Sequence, residues 1–390
     1  MYPTISHLLF DLFGIKIPLP IQTFGFWVAI SFVVAGWLLT KELIRKEKEG
    51  LLKSTIKESI IGKNLSVTEI ISSITTGFLI GFKGFEAILN YADLVANPQA
   101  FILSMRGNMI GGILIALISI YLKLQENKKT RLDIPKRIKE TIHPYQLVGN
   151  ITMIAAISGI IGAKIFHNLE NIGEFIADPI GQLLSFSGLT FYGGLIAGAG
   201  SVIWYARKYK INILHLIDAA APSLMIAYGI GRIGCMMSGD GDWGIVNLAP
   251  KPDWMSFLPD WMWSYSFPHN VIRSGIPMQD CGDQFWQPYC YELANPVWPT
   301  AFYEIMMSLV IFSILWSIRK HVKVKGLLFS IYLIFNGLER FSIEKIRINT
   351  EYNILGGVTQ AEIISFCLVL IGLVSCIILY RNNNNKIQQL

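Results

Sequence analysis

The chain has 390 residues, of which 52% are hydrophobic and 15% charged, and 33 Lys and Arg against 27 Asp and Glu give a formal net charge of +6. Average soluble usage is about 25% charged, so a soluble reading is excluded. The apolar residues fall into runs of roughly 18 to 22, long enough to cross about 30 Å of hydrocarbon. The positive charge sits in alternating loops, which explains it better than a nucleic-acid partner would.

The first twenty residues lack the basic start and small-residue cleavage site of a signal peptide. Ile21–Leu39 is therefore expected to remain as a first span. Eight more are expected at Ile70–Leu89, Met109–Leu122, Leu147–Phe166, Leu189–Ala206, Leu214–Met237, Trp298–Ile318, Leu327–Ser342 and Ile363–Tyr380. The third is short. The predicted fold is an all-α integral membrane protein of about nine transmembrane helices.

The loops alternate in charge. Lys41–Lys63 and Lys123–Lys139 hold seven Lys or Arg each, Arg207–Lys210 three, Arg319–Lys325 four, and the tail after Tyr380 two, so 23 of the 33 basic residues share one side. The positive-inside rule puts that side in the cytoplasm, with the N-terminus outside and the C-terminus inside. The largest loop, 238–297, is then external. It carries Trp243, Trp254, Trp261, Trp263 and Trp286, with Trp298 at its end. Trp prefers the membrane interface, so this loop is expected to lie on the bilayer surface. It also holds Cys281 and Cys290, a disulfide candidate in a compartment that permits one. Cys235, Cys367 and Cys376 fall in spans, where buried thiols are usually inert.

Gly81-Phe82-Lys83-Gly84-Phe85 recurs 81 residues later as Gly162-Ala163-Lys164-Ile165-Phe166. At that offset Asn90 meets Asn171, and one residue further on Gly111-Gly112 meets Gly193-Gly194. The stretch 70–122 thus reads as an inserted helix pair resembling 147–206, a parallel repeat. The second copy has Tyr192 before its glycine pair where the first has Ile110, so chemistry is expected nearer the second.

Ionisable residues inside spans cost about 2.5–3.5 kcal/mol each on insertion scales and are functional candidates by default. The first cluster runs from Gly229 to Gly244 and holds Arg232, Asp240 and Asp242. A guanidinium there can grip a phosphate with two parallel hydrogen bonds, or it can close the helix end as a structural Arg–Asp pair. The second runs from Asn336 to Arg347: Arg340 and Glu344 share a helix face at a spacing of four, and Arg347 continues it. A self-neutralising helix end is the alternative. The third is Tyr303-Glu304, opening the seventh span, where a buried carboxylate needs a cation such as Arg232 or Arg340. The fourth is Phe191-Tyr192-Gly193-Gly194, with Lys164 one span earlier. Two arginines, a carboxylate pair and an aromatic hydroxyl at one membrane depth suit an anionic headgroup. A membrane transporter or a lipid-binding protein for such headgroups would share some of these features, though a transporter's charges should cluster at the midplane.

These residues resemble the bacterial prolipoprotein diacylglyceryl transferase family. Gly231–Gly244 is similar to its signature, commonly Gly-Arg-x-Gly-Asn-Phe-x-Asn-x-Glu followed by an aromatic and Gly. Phe191-Tyr192-Gly193-Gly194 resembles its Phe-His-Gly-Gly, Tyr303-Glu304 its Tyr-Glu, and Arg340-Phe341-Ser342-Ile343-Glu344 its Arg-Phe-x-x-Glu. Gln22-Thr23-Phe24-Gly25 takes the place of its Trp-Tyr-Gly, and Lys164 stands where the family often has Arg. The departures are Cys235 for Asn, Asp240 for Glu, Tyr192 for His, Phe24 for Tyr, one extra residue between Asp240 and Trp243, and two spans beyond the family's usual seven.

The resemblance implies transfer of a diacylglyceryl group from phosphatidylglycerol to the lipobox cysteine of preprolipoproteins, at the bacterial cytoplasmic (inner) membrane. The partners are then phosphatidylglycerol, preprolipoprotein signal peptides and the lipid bilayer, with no nucleic acid, cofactor or metal. It implies catalytic roles for Arg232, Arg340, Tyr192, Glu304 and Asp240. Arg232 and Arg340 would clamp phosphate, Glu304 and Glu344 would orient them, and Asp240 would hold substrate or guanidinium. Tyr192 would accept or relay a proton. Substrate binding would fall to Glu344, Arg347, Lys164, Phe24, Tyr303 and Cys235.

Overall fold

The computed structural model describes residues 1–185, 188, 190–348, 351–352 and 357–388. In chain order the elements are α1 (Ile5–Phe13), α2 (Thr23–Lys48), β1 (Thr55–Ile61), α3 (Val67–Leu89), α4 (Tyr91–Ala96), α5 (Pro98–Leu103), α6 (Met109–Thr130), β2 (Lys136–Ile142) and α7 (Val148–Glu170). There follow α8 (Ile172–Ala177), α9 (Pro179–Leu184), α10 (Phe191–Lys208), α11 (Ile213–Ser238), β3 (Ile276–Pro277), β4 (Tyr291–Glu292), α12 (Thr300–Ile318), α13 (Leu327–Glu344), β5 (Glu351–Tyr352), β6 (Val358–Thr359) and α14 (Gln360–Gln388).

Each expected span falls on a helix of 18 residues or more. Among the described residues six segments are long and apolar enough to cross a bilayer: Thr23–Lys48, Met109–Thr130, Pro144–Glu170, Ile213–Ser238, Thr300–Ile318 and Gln360–Asn383. The remaining three, α3, α10 and α13, carry charge or polar residues that dilute their apolar character: Glu69, Lys83 and Glu86; Arg207 and Lys208; Glu339, Arg340 and Glu344. The short third span is longer than its apolar run. Asn108 accepts a hydrogen bond from Gly111 N and starts α6 at Met109, and the helix continues through polar residues to Thr130. The first residue of the fifth expected span, Leu189, lies outside the described residues, and α10 begins at Phe191.

The chain divides into two compact units. One comprises Met1–Lys53, Pro144–Thr152 and Ala206–Leu390, and the other Ser54–His143 and Met153–Tyr205. In the first, α2 and α12 pack against α11, and α14 packs against α13. The tight seam between α2 and α11 depends on Gly234, where a Cβ would come within 3.1–3.3 Å of the Phe24 backbone and the Trp27 side chain.

The second unit contains most of the two stretches matched at the 81-residue offset. The turn elements of the two copies have equal lengths: α4 and α8 are six residues each, as are α5 and α9. Asn90 and Asn171 take nearly the same backbone angles (φ −122°, ψ 50° and φ −116°, ψ 50°), and Pro98 and Pro179 each open the following helix, where a missing N–H costs nothing. Phe82 O accepts from Asn108 N at 2.9 Å, and Ala163 O accepts from Thr190 N at 3.1 Å. A Cβ on Gly81 would lie 2.2 Å from Gly111 O, and one on Gly162 would lie 2.5 Å from Gly193 O. Both glycine motifs thus serve the same close helix approach.

The basic loops are not wholly irregular. β1 and β2 pair antiparallel from Thr55↔Ile142 to Ile61↔Lys136. This ladder ties two basic loops together.

The segment between α11 and α12 is built around Asn270. That side chain is fully buried, accepts from Ser274 N and donates to the carbonyls of Phe267, Ser274 and Tyr291. The sulfurs of Cys281 and Cys290 are bonded, with Cα atoms 5.4 Å apart. Trp243 is buried against Cys235, Met236, Phe267, Val297 and Ala301, and Trp263 packs edge-on against Trp298. Of the six tryptophans only Trp254 is exposed, at 72%. Trp243 and Phe267 are the aromatic members of the buried cluster in this segment. Cys367 lies in the candidate span Gln360–Asn383, on an outward face of α14.

Candidate functional site

Arg232 lies on the last two turns of α11, which end at Gly239 in a left-handed conformation. Three groups hold its guanidinium. Its Nε lies 3.0 Å from Glu304 Oε2, its terminal nitrogen pairs with Asp242 Oδ2, and its central carbon lies over the Tyr228 ring, 5.1 Å from the centroid. Cys235 Sγ lies 3.7 Å from the same terminal nitrogen.

Glu304 is the hub. It sits in the second turn of α12 and is fully buried. Besides Arg232 it faces Arg340 at 3.2 Å and Arg347 at 3.8 Å, and its Oε1 accepts from the Tyr228 hydroxyl at 2.7 Å. A buried charge is tolerable only when paired and hydrogen-bonded, and here one carboxylate is shared by three cations from different parts of the chain. Arg340 also faces Glu344 at 3.6 Å, and Glu344 accepts from the Thr359 hydroxyl at 2.8 Å. Arg340 is the most open of the three guanidiniums, at 25% exposure against 14% for Arg232 and 13% for Arg347.

Asp242 completes the site. One oxygen pairs with Arg232 and the other with Arg347. Its position is set by the backbone that follows. Gly244 N donates to Trp298 O at 2.8 Å and Ile245 N donates to Ile346 O at 2.9 Å, threading this strand between the residues before α12 and those after α13. A Cβ on Gly244 would lie 2.4 Å from Ile346 O and 2.7 Å from Trp298 Cβ, so the thread passes only with glycine there. Thr300 Oγ1 donates to Asp242 O at 2.9 Å.

The two aspartates of this turn differ electrostatically. Burial opposes ionisation of Asp242, but Arg232 and Arg347 outweigh it and hold the carboxyl below its usual range. At Asp240 burial comes first and the charge of Asp242 second, and together they raise its proton affinity. Asp240 Oδ1 accepts from Asp242 N at 3.3 Å. Ligand atoms of Cys235, Asp240 and Asp242 lie within 4.8 Å of one another, but both Asp242 oxygens are already engaged by guanidiniums.

The structure therefore brings together Arg232, Glu304, Arg340, Glu344 and Arg347, with Cys235 and Asp240 beside Arg232. The resemblance had Asp240 hold substrate or guanidinium; the carboxylate that pairs with the guanidiniums of Arg232 and Arg347 is Asp242. Tyr303 turns away from its neighbour Glu304 and donates to Met262 O at 2.9 Å. The Phe24 side chain is exposed, and only its backbone approaches α11, at Gly234. Lys164 and Tyr192 belong to the second unit, where Lys164 is buried. Sequence reasoning missed Tyr228, Glu339 and Thr359. The spacing of Tyr228 four residues before Arg232 was the available signal, since that spacing puts both on one helix face.

The profile of the family described as prolipoprotein diacylglyceryl transferase matches residues 108–378. Phosphatidylglycerol–prolipoprotein diacylglyceryl transferase from Clostridium novyi (strain NT) is 30% identical over 253 residues, covering 64% of this chain and 86% of that protein. The protein of the same name from Dehalococcoides mccartyi is 28% identical over 245 residues, 62% of this chain and 80% of its own length. That from Staphylococcus haemolyticus is 28% identical over 297 residues, 75% of this chain and 89% of its own length. With the arginine and carboxylate cluster falling inside the matched region, the chain belongs to the prolipoprotein diacylglyceryl transferase family.

Proposed function

We propose that this transferase moves the diacylglyceryl group of phosphatidylglycerol onto the thiol of the lipobox cysteine of a preprolipoprotein, releasing glycerol phosphate. The observation that carries this reading is the set of three guanidiniums around one buried carboxylate, Glu304, at the ends of α11, α12 and α13. In the reaction a sulfur–carbon bond forms at the glycerol carbon, and the bond from that carbon to the phosphate oxygen breaks. Charge grows on the departing phosphate, and preorganised donors aimed at it lower the barrier. Arg340, the most open guanidinium, meets the phosphate, and Arg232 completes the clamp. Glu304, Glu344 and Asp242 fix the planes of both forks.

The acceptor thiol has an ordinary pKa near 8.5 and must lose its proton. Tyr192 is one candidate acceptor, as the position of a family histidine. Asp240 is the other, because its raised proton affinity brings it closer to the working pH than an ordinary carboxylate. The reading places the enzyme in the bacterial cytoplasmic membrane with nine spans. The basic loops face the cytoplasm and the Asn270-centred segment faces out. The joined basic loops of β1 and β2 support this sidedness.

The test is purified full-length protein with labelled phosphatidylglycerol and a lipobox peptide. Label on the peptide cysteine is expected; lipid binding with no transfer would leave a lipid-binding protein or a transporter instead. For topology, a reporter after Arg381 should read cytoplasmic and one near Asp260 external. Both on one side would overturn the nine-span arrangement.

A further inference from the structure

Tyr228 and Glu339 lie among the charged groups of the site, and the chemistry above uses neither. The Tyr228 hydroxyl oxygen is 2.7 Å from Glu304 Oε1 and 3.2 Å from Glu339 Oε1. Glu339 is 3% exposed, and its Oε2 has no hydrogen-bond partner among the described residues.

Two counts bear on this arrangement. The first is of hydrogens. A phenol carries one hydrogen, and an ionised carboxylate only accepts. With both glutamates ionised, one of the two contacts would have no hydrogen in it. The shorter contact, to Glu304, takes the phenolic hydrogen. The longer one then needs a hydrogen from Glu339.

The second count is of charges. Arg232, Arg340 and Arg347 pair with Asp242, Glu304 and Glu344. Among the described residues no cation lies within ion-pair distance of Glu339. A buried carboxylate without a cation is expensive, and such a group keeps its proton instead. Both counts lead to the same hydrogen.

We propose that Glu339 is held as a neutral carboxylic acid that donates to Tyr228, which in turn donates to Glu304. The chain runs one way and ends on the carboxylate that orients the arginines. Tyr228 holds two ends of the clamp at once, since its ring lies under Arg232 and its hydroxyl fixes Glu304. Both residues are positioning residues: they act on the guanidiniums through Glu304 and touch no reacting atom.

The charge state is tested first, without reference to activity. Infrared difference spectra of full-length protein would compare wild type with Glu339→Gln and with Tyr228→Phe. A protonated-carboxyl carbonyl band should be present in wild type, lost in Glu339→Gln and shifted in Tyr228→Phe. Loss of ionised-carboxylate bands alone would overturn the proposal. The kinetic arm rests on the proposed transfer reaction. A wild type inactive on phosphatidylglycerol sinks that reading and leaves the infrared result standing. In the active enzyme, Tyr228→Phe should lower kcat about 10- to 100-fold, the range for a hydrogen bond to a charged group, and Glu339→Leu, which removes a bond between neutral groups, about 2- to 10-fold, with KM for phosphatidylglycerol moving less than about threefold in both. Glu339→Gln keeps a hydrogen donor and should lose less kcat than Glu339→Leu. Equal losses in the two variants, or an effect confined to KM, would overturn the positioning role.

Discussion

Arg232 Nε lies 3.0 Å from Glu304 Oε2, one group ending α11 and the other beginning α12. The same guanidinium reaches Asp242 with a different nitrogen. A planar fork meets the two carboxylates through different nitrogens held in a fixed geometry, which a compact ammonium on a flexible stem does not reproduce. Arg232→Lys is therefore expected to fold and to lose about 10²–10³ in kcat, the usual cost of removing one preorganised donor. Turnover of monodisperse variant protein is the measurement. Near-wild-type rates would mean that Arg232 only closes the helix end.

Asp240 and Asp242 should behave in opposite ways. Burial disfavours the charge of Asp242, and Arg232 and Arg347 reverse that and depress its pKa. Its stabilisation is present above the ordinary carboxylate value and is lost as pH falls through the lower folded value. At neutral pH, Asp242→Asn leaves two guanidiniums short of a partner and should cost about 3–5 kcal/mol. At Asp240, burial and then the Asp242 charge raise the pKa. Ionised Asp240 is thus a cost at neutral pH that eases as pH falls through its raised value. Asp240→Asn should hold or raise Tm while lowering kcat if Asp240 takes the thiol proton. Thermal unfolding and a pH–rate profile of both variants separate the roles, and a shared loss of stability would contradict them.

Gly244 tests how the site is assembled. Its alanine variant pushes a methyl group against a backbone carbonyl and Trp298. Overpacking of this kind costs about 1–3 kcal/mol, and here it also moves Asp242 off the arginines. Both Tm and kcat should fall. A drop in Tm with full activity would show that the thread supports the fold and not the site.

The segment between α11 and α12 should be sensitive to acid. Trp286 lies between two imidazoles, His269 at 4.3 Å and His7 at 4.9 Å between ring centroids. His7 also contacts Phe285 O at 3.1 Å and His269 contacts Tyr289 O at 3.1 Å. Burial lowers the pKa of both from the ordinary 6.5. The unfolded segment then takes up protons first, so stability falls as pH drops below about 6.5 and levels off beneath the lowered folded values. Hydrogen exchange over 265–297, corrected for intrinsic rates, should be faster at pH 5.5 than at pH 7.5. His269→Phe, which can still stack, should reduce that difference; an unchanged difference would remove His269 from the effect.

Much of this protein was legible in one dimension. Hydrophobic run length set the helices, because hydrocarbon satisfies no backbone group and every crossing must bond within itself. The 81-residue offset carried the repeat down to Asn90 and Asn171, because a glycine seam and a capped turn need particular residues at particular places. Arg232, Glu304, Arg340 and Glu344 declared themselves as charges where charge is costly. What stayed hidden depended on distance through space. Asp240 and Asp242 look alike in the sequence, and only the strand threaded past Trp298 and Ile346 gives the arginines to Asp242. Tyr303 and Glu304 are neighbours that part company because successive helical side chains point about 100° apart. Tyr228 and Glu339 lie more than a hundred residues apart, and no local pattern states that a phenol and two carboxylates must share hydrogens. The sequence by itself marked the apolar helices and the charges that interrupt them, since those follow from local solvation. The pairing of those charges was left to the tertiary structure, because a buried ion's partner is chosen by packing.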